Sequence, residues 1–340
     1  MSLRAPWRKP AVAGALTAAL LLTTACGAVT ASDNGNDGDG SFEPAAHIQE
    51  RIDNGEPLRI KLSYHDPSLA FATPIARGMQ RAGDELGADV RLIGPTGGDA
   101  AQQVSELQTL IQQKSVDGLA VSSASSDALR PVIAQAYDAG IPVISFNTDN
   151  PESRQMGFVG QDLKGSGESQ ARQLLEVLDP DVSGKVVVFS VDTGAGWSHE
   201  RFSGFEEGLA GSDLEIVGPV NVGNEPGSAY NTVESTMRGQ SDVVALAGLD
   251  CCSTTAAAQW AAEASGDGPV VVGFDLLTRT ADYIENGVID FTISQNPAEQ
   301  GYQAVKTLHD FLIEGGEITG VDTGSQFITR DNLDENPVED

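Results

Sequence analysis

The amino-acid sequence predicts an α/β protein of two lobes, each a doubly wound parallel sheet covered by helices. From Leu58 onward the hydrophobic period switches repeatedly between the strand and the helix values. The strand-like runs are continuous and Val-rich, as in Lys185-Val-Val-Val-Phe-Ser190, which marks strands buried on both faces. These runs are too many for one comfortable sheet, and a chain of 340 residues exceeds one ordinary domain.

In order, residues 58–64 read as a strand and 74–86 as a helix stopped by Gly87. Residues 90–93 form a strand, after which Val104, Leu107, Leu110 and Ile111 share one helical face. The alternation continues with 118–121, a helix over 131–139, and 143–146. Past 185–190 a helix runs through Phe202, Phe205 and Leu209. Strands at 216–220, 243–247 and 270–274 follow, each with a helical stretch after it. The short run 291–294 precedes a long helix over 297–313.

Ahead of these elements, Arg4, Arg8 and Lys9 form a basic start, residues 11–22 an apolar run, and Thr23-Thr24-Ala25 leads into Cys26. The run is shorter than the roughly 20 residues a spanning helix needs, so residues 1–25 read as an export signal. The stretch resembles a bacterial lipoprotein signal, which implies lipidation of Cys26 and anchoring to the outer face of the cell membrane. Thr23 stands where that pattern usually has Leu, and an ordinary secretory signal cleaved nearby is the alternative. Residues 26–46 include Asn-Gly-Asn-Asp-Gly-Asp-Gly and read as a flexible acidic tether. A calcium loop fails on register: from Asp33 the third ligand position is Gly35, and no Glu closes the loop.

The formal net charge of -29 excludes nucleic acid, because no basic surface is available to displace counterions from phosphates. It equally opposes adsorption to an acidic membrane, so a membrane link requires the anchor.

In doubly wound sheets ligands bind beyond the carboxyl ends of the strands. The loops there offer His65-Asp-Pro-Ser-Leu-Ala-Phe71, Asn147-Thr148-Asp149, the stretch Asp192-Thr-Gly-Ala-Gly-Trp197-Ser-His199-Glu-Arg201, Leu249-Asp250-Cys251-Cys252, Asp275 and Gln295. A polyhydroxylated ligand wants such a mixture: acceptors and donors for hydroxyl pairs, and a flat apolar surface for the C–H side of a ring.

Here the chain resembles the periplasmic sugar-binding proteins of the ribose-binding type, across about residues 58–327. The resemblance is carried by Ile141-Pro-Val-Ile-Ser-Phe-Asn147, Arg201-Phe-Ser-Gly-Phe205, Val272-Gly-Phe-Asp275 and Thr292-Ile-Ser-Gln295, in the family's order. It implies the type I periplasmic-binding-protein fold: two lobes joined by three crossovers, closing on a sugar. The lobes expected are 58–160 with 295–320, and 161–294 with 321–340. Phe71 would pack on the sugar, and Asp275 and Gln295 match the family's polar contacts. Asn147 stands where an Asp is usual and Thr148 where an Arg is frequent. His199 takes the place of a second Arg, with Arg201 two residues on, and Leu249 replaces an amide beside Asp250. These changes argue against ribose itself. Trp197 is read as a stacking platform. The implied partners are a small sugar or polyol and an ABC importer permease, with the protein a monomer requiring no cofactor. A sensor that presents sugar to a receptor kinase or chemoreceptor is the alternative.

Adjacent Cα atoms lie about 3.8 Å apart, inside the lower limit of about 4.4 Å usual for a disulfide. Cys251 and Cys252 are therefore either a strained vicinal disulfide or two thiols packing the start of a helix. A metal site lacks the spacing and His partners. Enzyme readings also fail. Asp192-Thr-Gly and Asp322-Thr-Gly mimic aspartic proteases, but those are all-β enzymes, and this chain alternates helix and strand. There is no Gly-x-Gly-x-x-Gly after the first strand, no Gly-Lys-Ser/Thr loop and no Gly-x-Ser-x-Gly elbow.

Overall fold

The computed structural model describes residues 42–264, 268–336 and 338. The export signal, Cys26 and the tether up to residue 41 lie outside the described residues.

The first lobe is built from β1 (Arg59–Ser63), α2 (Ala72–Leu86), β2 (Asp89–Ile93), α3 (Ala100–Gln112), β3 (Gly118–Val121), α4 (Ser126–Asp138), β4 (Val143–Phe146) and β5 (Phe158–Gly160), preceded by α1 (Ala46–Asp53). The second contains α5 (Leu163–Val177), β6 (Gly184–Ser190), α6 (Gly196–Gly208), β7 (Leu214–Asn221), α7 (Pro226–Arg238), β8 (Val243–Gly248), α8 (Cys251–Glu263), β9 (Val270–Phe274), α9 (Thr278–Glu285) and β10 (Phe291–Ser294). The chain then returns through α10 (Pro297–Glu314), which packs on α2, and ends with β11 (Val321–Asp322) and β12 (Gln326–Ile328).

The two sheets run β11-β5-β4-β3-β1-β2 and β12-β10-β9-β8-β6-β7. All their pairs are parallel except β10 with β12. Order reverses beside β1 in one sheet and β6 in the other, which opens a crevice at the strand ends of each. Each sheet carries its own core. Ile60, Leu62, Ile144 and Phe146 sit in the first, and Val186, Phe189, Leu246 and Phe274 in the second.

The chain passes between sheets after β5, after β10, and between β11 and β12. These crossings are stitched together. Gln161 Nε2 donates to Ser325 Oγ (2.8 Å), Asn296 Nδ2 to the Thr323 carbonyl (2.8 Å), and Thr323 Oγ1 to the Gln295 carbonyl (2.9 Å). In the second lobe α5 and α6 meet on glycines. A Cβ on Gly167 would stand 2.0 Å from the Arg201 carbonyl, and one on Gly204 would stand 1.9 Å from that of Lys164. This close approach seats the α6 backbone at Arg201.

Several expectations are corrected. The end of the expected tether is packed: the Phe42 ring lies 5.0 Å from Tyr137 and 5.8 Å from Phe311, and Ala45 N–H donates to the Gly140 carbonyl (2.8 Å). Apolar Phe42 has surface worth burying, which the Asp/Gly run before it lacks. Val321–Asp322 joins the first sheet rather than the second, because β11 pairs with β5. Helix α4 starts at Ser126 with Ser125 as its cap and carries Pro131 inside it. Strand β5 and helix α5 carry little sequence signal, because the strand has 3 residues and the helix opens with Gly165 and Gly167, poor helix formers.

Candidate functional site

Two strand ends set the geometry. Asn147 follows β4 at φ 61° and Asp275 follows β9 at φ 73°, both left-handed. Asn and Asp tolerate this region because their short polar side chains bond locally. Each turn carries its side chain off the end of a buried strand toward the other lobe.

A cavity of about 40 Å³ lies there, bounded by Tyr64, His65, Leu69 and Phe71 after β1 and by Asn147 after β4. From the second lobe come Leu163, Val191, Trp197, Arg201, Asp250, Cys251 and Asp275, and Gln295 stands at the crossing after β10. Seven of the sequence-derived candidates thus meet around one space: Phe71, Asn147, Trp197, Arg201, Asp250, Asp275 and Gln295.

Asp275 Oδ1 accepts from Gln295 Nε2 (2.8 Å). Burial raises its pKa to about 6, against the pull of the Arg201 charge. Arg201, 3% exposed, donates through Nη1 to the Leu249 carbonyl (2.8 Å) and through Nη2 to Gln161 Oε1 (3.0 Å). Its guanidinium lies 4.0 Å from the Phe274 ring centre. Its Nε is buried with no hydrogen-bond partner among the described residues. His65 Nδ1 pairs with Ser122 Oγ at 2.8 Å, and burial lowers its pKa to about 4, so the ring is neutral at physiological pH. Burial also raises the Tyr64 phenol well above its ordinary value. The site therefore presents one cation, carboxylates and neutral donors between apolar walls.

Three candidates are placed differently. Asp250 caps α8: its oxygens accept from Cys252 N, Ser253 N, Ser253 Oγ and Val191 N at 2.8–3.0 Å, so its lone pairs are spent on backbone and cap. Thr148 is buried one residue past the left-handed Asn147, beside Ser122 Oγ (3.2 Å). It borders a neighbouring cleft of about 750 Å³ along the crossovers, which contains none of Asp275, Arg201 or Trp197. The polar groups converge on the smaller cavity, which is therefore the candidate site. His199 is exposed on α6. The buried face of that helix holds Trp197, Ser198, Arg201, Gly204 and Phe205, and two residues of helical rotation carry His199 away from Trp197. The cysteines are two thiols with sulfurs 3.1 Å apart, Cys251 buried and Cys252 half-buried.

Tyr64, His65, Leu69, Leu163 and Val191 were not singled out in the sequence. The strand-end rule pointed at Tyr64, His65 and Val191, since they directly follow β1 and β6. Leu69 and Leu163 have no local signal, being ordinary apolar residues of a loop and a helix start.

Residues 60–317 match the periplasmic binding protein domain. The xylose/arabinose-binding protein XylF of Sulfolobus acidocaldarius is 28% identical over 79% of this chain and 70% of its own length. The ribose import binding protein RbsB of Bacillus subtilis is 25% identical over 89% of this chain and 93% of its own. Among solved structures, an ABC transporter solute binding protein from Agrobacterium vitis with bound D-fucose superposes with a TM-score of 0.76 at 25% identity. It covers 82% of this chain and 97% of its own. With the paired doubly wound sheets, the three crossings and a match over most of the chain, this protein belongs to the periplasmic binding protein domain family, as its resemblance to the ribose-binding type implied.

Proposed function

We propose that this protein captures one neutral sugar or polyol in the cavity between its lobes and delivers it to an ABC importer permease. The observation that carries the reading is the convergence of Asp275, Arg201 and His65 between the Phe71 and Trp197 side chains, with both lobes contributing. A carboxylate and a guanidinium bind adjacent hydroxyls in two directions, and aromatic walls cover the C–H faces. Phe71, His65 and Asn147 belong to one lobe and Arg201, Asp275 and Trp197 to the other. Closure about the three crossings is therefore what brings all of them to one ligand, and the ligand favours the closed state. At about 1 kcal/mol per hydrogen bond, several bonds plus ring burial support a dissociation constant of about a micromolar.

The sugars named for the relatives, xylose, arabinose, ribose and fucose, support a ligand among pentoses, deoxysugars and related polyols. Asn147, which lines the cavity where the ribose-binding type usually has an Asp, argues against ribose itself. Anchoring through lipidated Cys26 would hold the protein at the outer face of the membrane beside its permease.

A thermal-shift screen of the protein from residue 27 onward against pentoses, hexoses, polyols and deoxysugars tests the reading, since a ligand of the folded state raises the melting temperature. A rise of several degrees with one of these compounds is expected. Responses only to amino acids or organic anions would overturn it. For the anchor, Cys26→Ala should release the protein into the medium, and retention at the membrane would count against lipidation.

A further inference from the structure

Cys251 and Cys252 open α8, directly after its capping residue Asp250. Their sulfurs lie 3.1 Å apart. Cys251 borders the candidate sugar cavity, and both cysteines also border a second cavity of about 160 Å³ with Ala70, Gln259 and Arg279. The pair thus stands as a partition between the binding site and a space on its other side.

The backbone of this pair holds the site. The Cys252 N–H donates to Asp250 Oδ1 (2.9 Å), and Asp250 Oδ2 accepts from the Val191 N–H (3.0 Å), which ties the start of α8 to the cavity wall. A disulfide holds its sulfurs at about 2.05 Å, roughly 1 Å closer than here, and its Cα atoms are usually farther apart than the about 3.8 Å between chain neighbours. Closing this pair must therefore distort the peptide between them, which carries the Cys252 N–H.

We propose that Cys251–Cys252 is a redox-modification site, closing to a vicinal disulfide that withdraws the Cys252 backbone donor from Asp250 and so resets the sugar cavity. The oxidant is a low-molecular-weight disulfide carrying carboxylates, which Arg279 at the second cavity would attract. Cys252 is the half-buried member and attacks first as its thiolate. One S–S bond of the reagent breaks, a mixed disulfide forms, and one reagent thiolate leaves. Cys251 then attacks the Cys252 sulfur, gives up its proton, and expels the second reagent thiolate. Two protein thiols are oxidised, and the reagent is reduced to two thiols that take up the two protons. The contact with Cys252, together with burial, pushes the Cys251 thiol well above its ordinary pKa, so the more exposed Cys252 is the one that attacks the reagent. By linkage, a sugar bound in the cavity that Asp250 and Cys251 line favours the dithiol.

The test treats the protein from residue 27 onward with oxidised glutathione and reads intact mass, peptide map and amide exchange. The expected product has lost two hydrogens, with a bond between residues 251 and 252 that dithiothreitol reverses. Its amides at residues 251–253 should exchange at least about tenfold faster than in the reduced protein. Cys252→Ser should remain unmodified, whereas Cys251→Ser should stop at the stable mixed disulfide on Cys252. Two titratable thiols surviving the oxidant, a mixed disulfide that persists in the unsubstituted protein, or a closed disulfide with unchanged amide exchange would each overturn the proposal.

Discussion

Gln295 Nε2 donates to Asp275 Oδ1 across 2.8 Å, tying a strand-end carboxylate of the second lobe to the crossing that leads into α10. The tie continues: Gln300 Nε2 donates to Gln295 Oε1 (3.2 Å), and Gln300 Oε1 accepts from Asn147 Nδ2 (3.1 Å). A chain of side-chain amides therefore links the Asp275 and Asn147 ends of the cavity through the hinge. All four side chains are buried, so each bond forms in a low dielectric where an orphaned partner is costly.

Asp275→Ala should weaken binding of the active sugar by at least about tenfold, since it strands a ligand hydroxyl and the Gln295 amide together. Calorimetry checks this, and unchanged affinity would remove Asp275 from the site. Gln300→Leu should lower stability by about 2 kcal/mol by orphaning Gln295 and Asn147, as read from urea midpoints.

The pH response separates two groups in the same cavity. Asp275 is raised from 3.8 to about 6 by burial, so the folded protein holds its proton more tightly than the unfolded chain. Its contribution is present below pH 3.8 and is lost as pH rises through about 6. His65 is lowered from 6.5 to about 4, so its contribution is present above pH 6.5 and is lost as pH falls through about 4. Each spans about 3 kcal/mol, with opposite sign over nearly the same window. Asp275→Asn should therefore make the protein more acid-labile between pH 6.5 and 4 than the unsubstituted chain, and His65→Gln less so. Parallel denaturation midpoints across that range for all three proteins would contradict both assignments.

Asp250 and His199 should part company from the binding residues. Asp250→Ala removes the α8 cap and should cost about 2 kcal/mol of stability, measured by thermal denaturation. His199→Ala, on the exposed face of α6, should leave both stability and affinity unchanged, and a loss of sugar binding would return it to the site.

Arg201→Lys keeps the charge but not the fork that reaches Leu249 and Gln161 together, nor the planar face against Phe274. It should lower the melting temperature by several degrees, and affinity should fall with it. An unchanged melting temperature would show that these contacts contribute little.

What the sequence by itself determined is the strand–helix alternation, the split into two doubly wound lobes, and the loops where a ligand would sit. These follow from local period and from one topological rule, both legible in a single chain. Asp275, Gln295 and Asn147 could be named because each stands just past a strand end, and Phe71 because the family resemblance pointed to the loop after β1. Only the tertiary structure decided which side chains face the cavity and which are already occupied. Asp250 looked like an acceptor until its oxygens met the α8 amides, and His199 looked like a ligand until helical rotation turned it outward. His65 and Tyr64 entered because β1 ends at the crevice, and Leu163 entered because the crossing after β5 brings the start of α5 there. Hydrogen-bond capacity is shared among residues far apart in sequence, so no local pattern records which of it remains free.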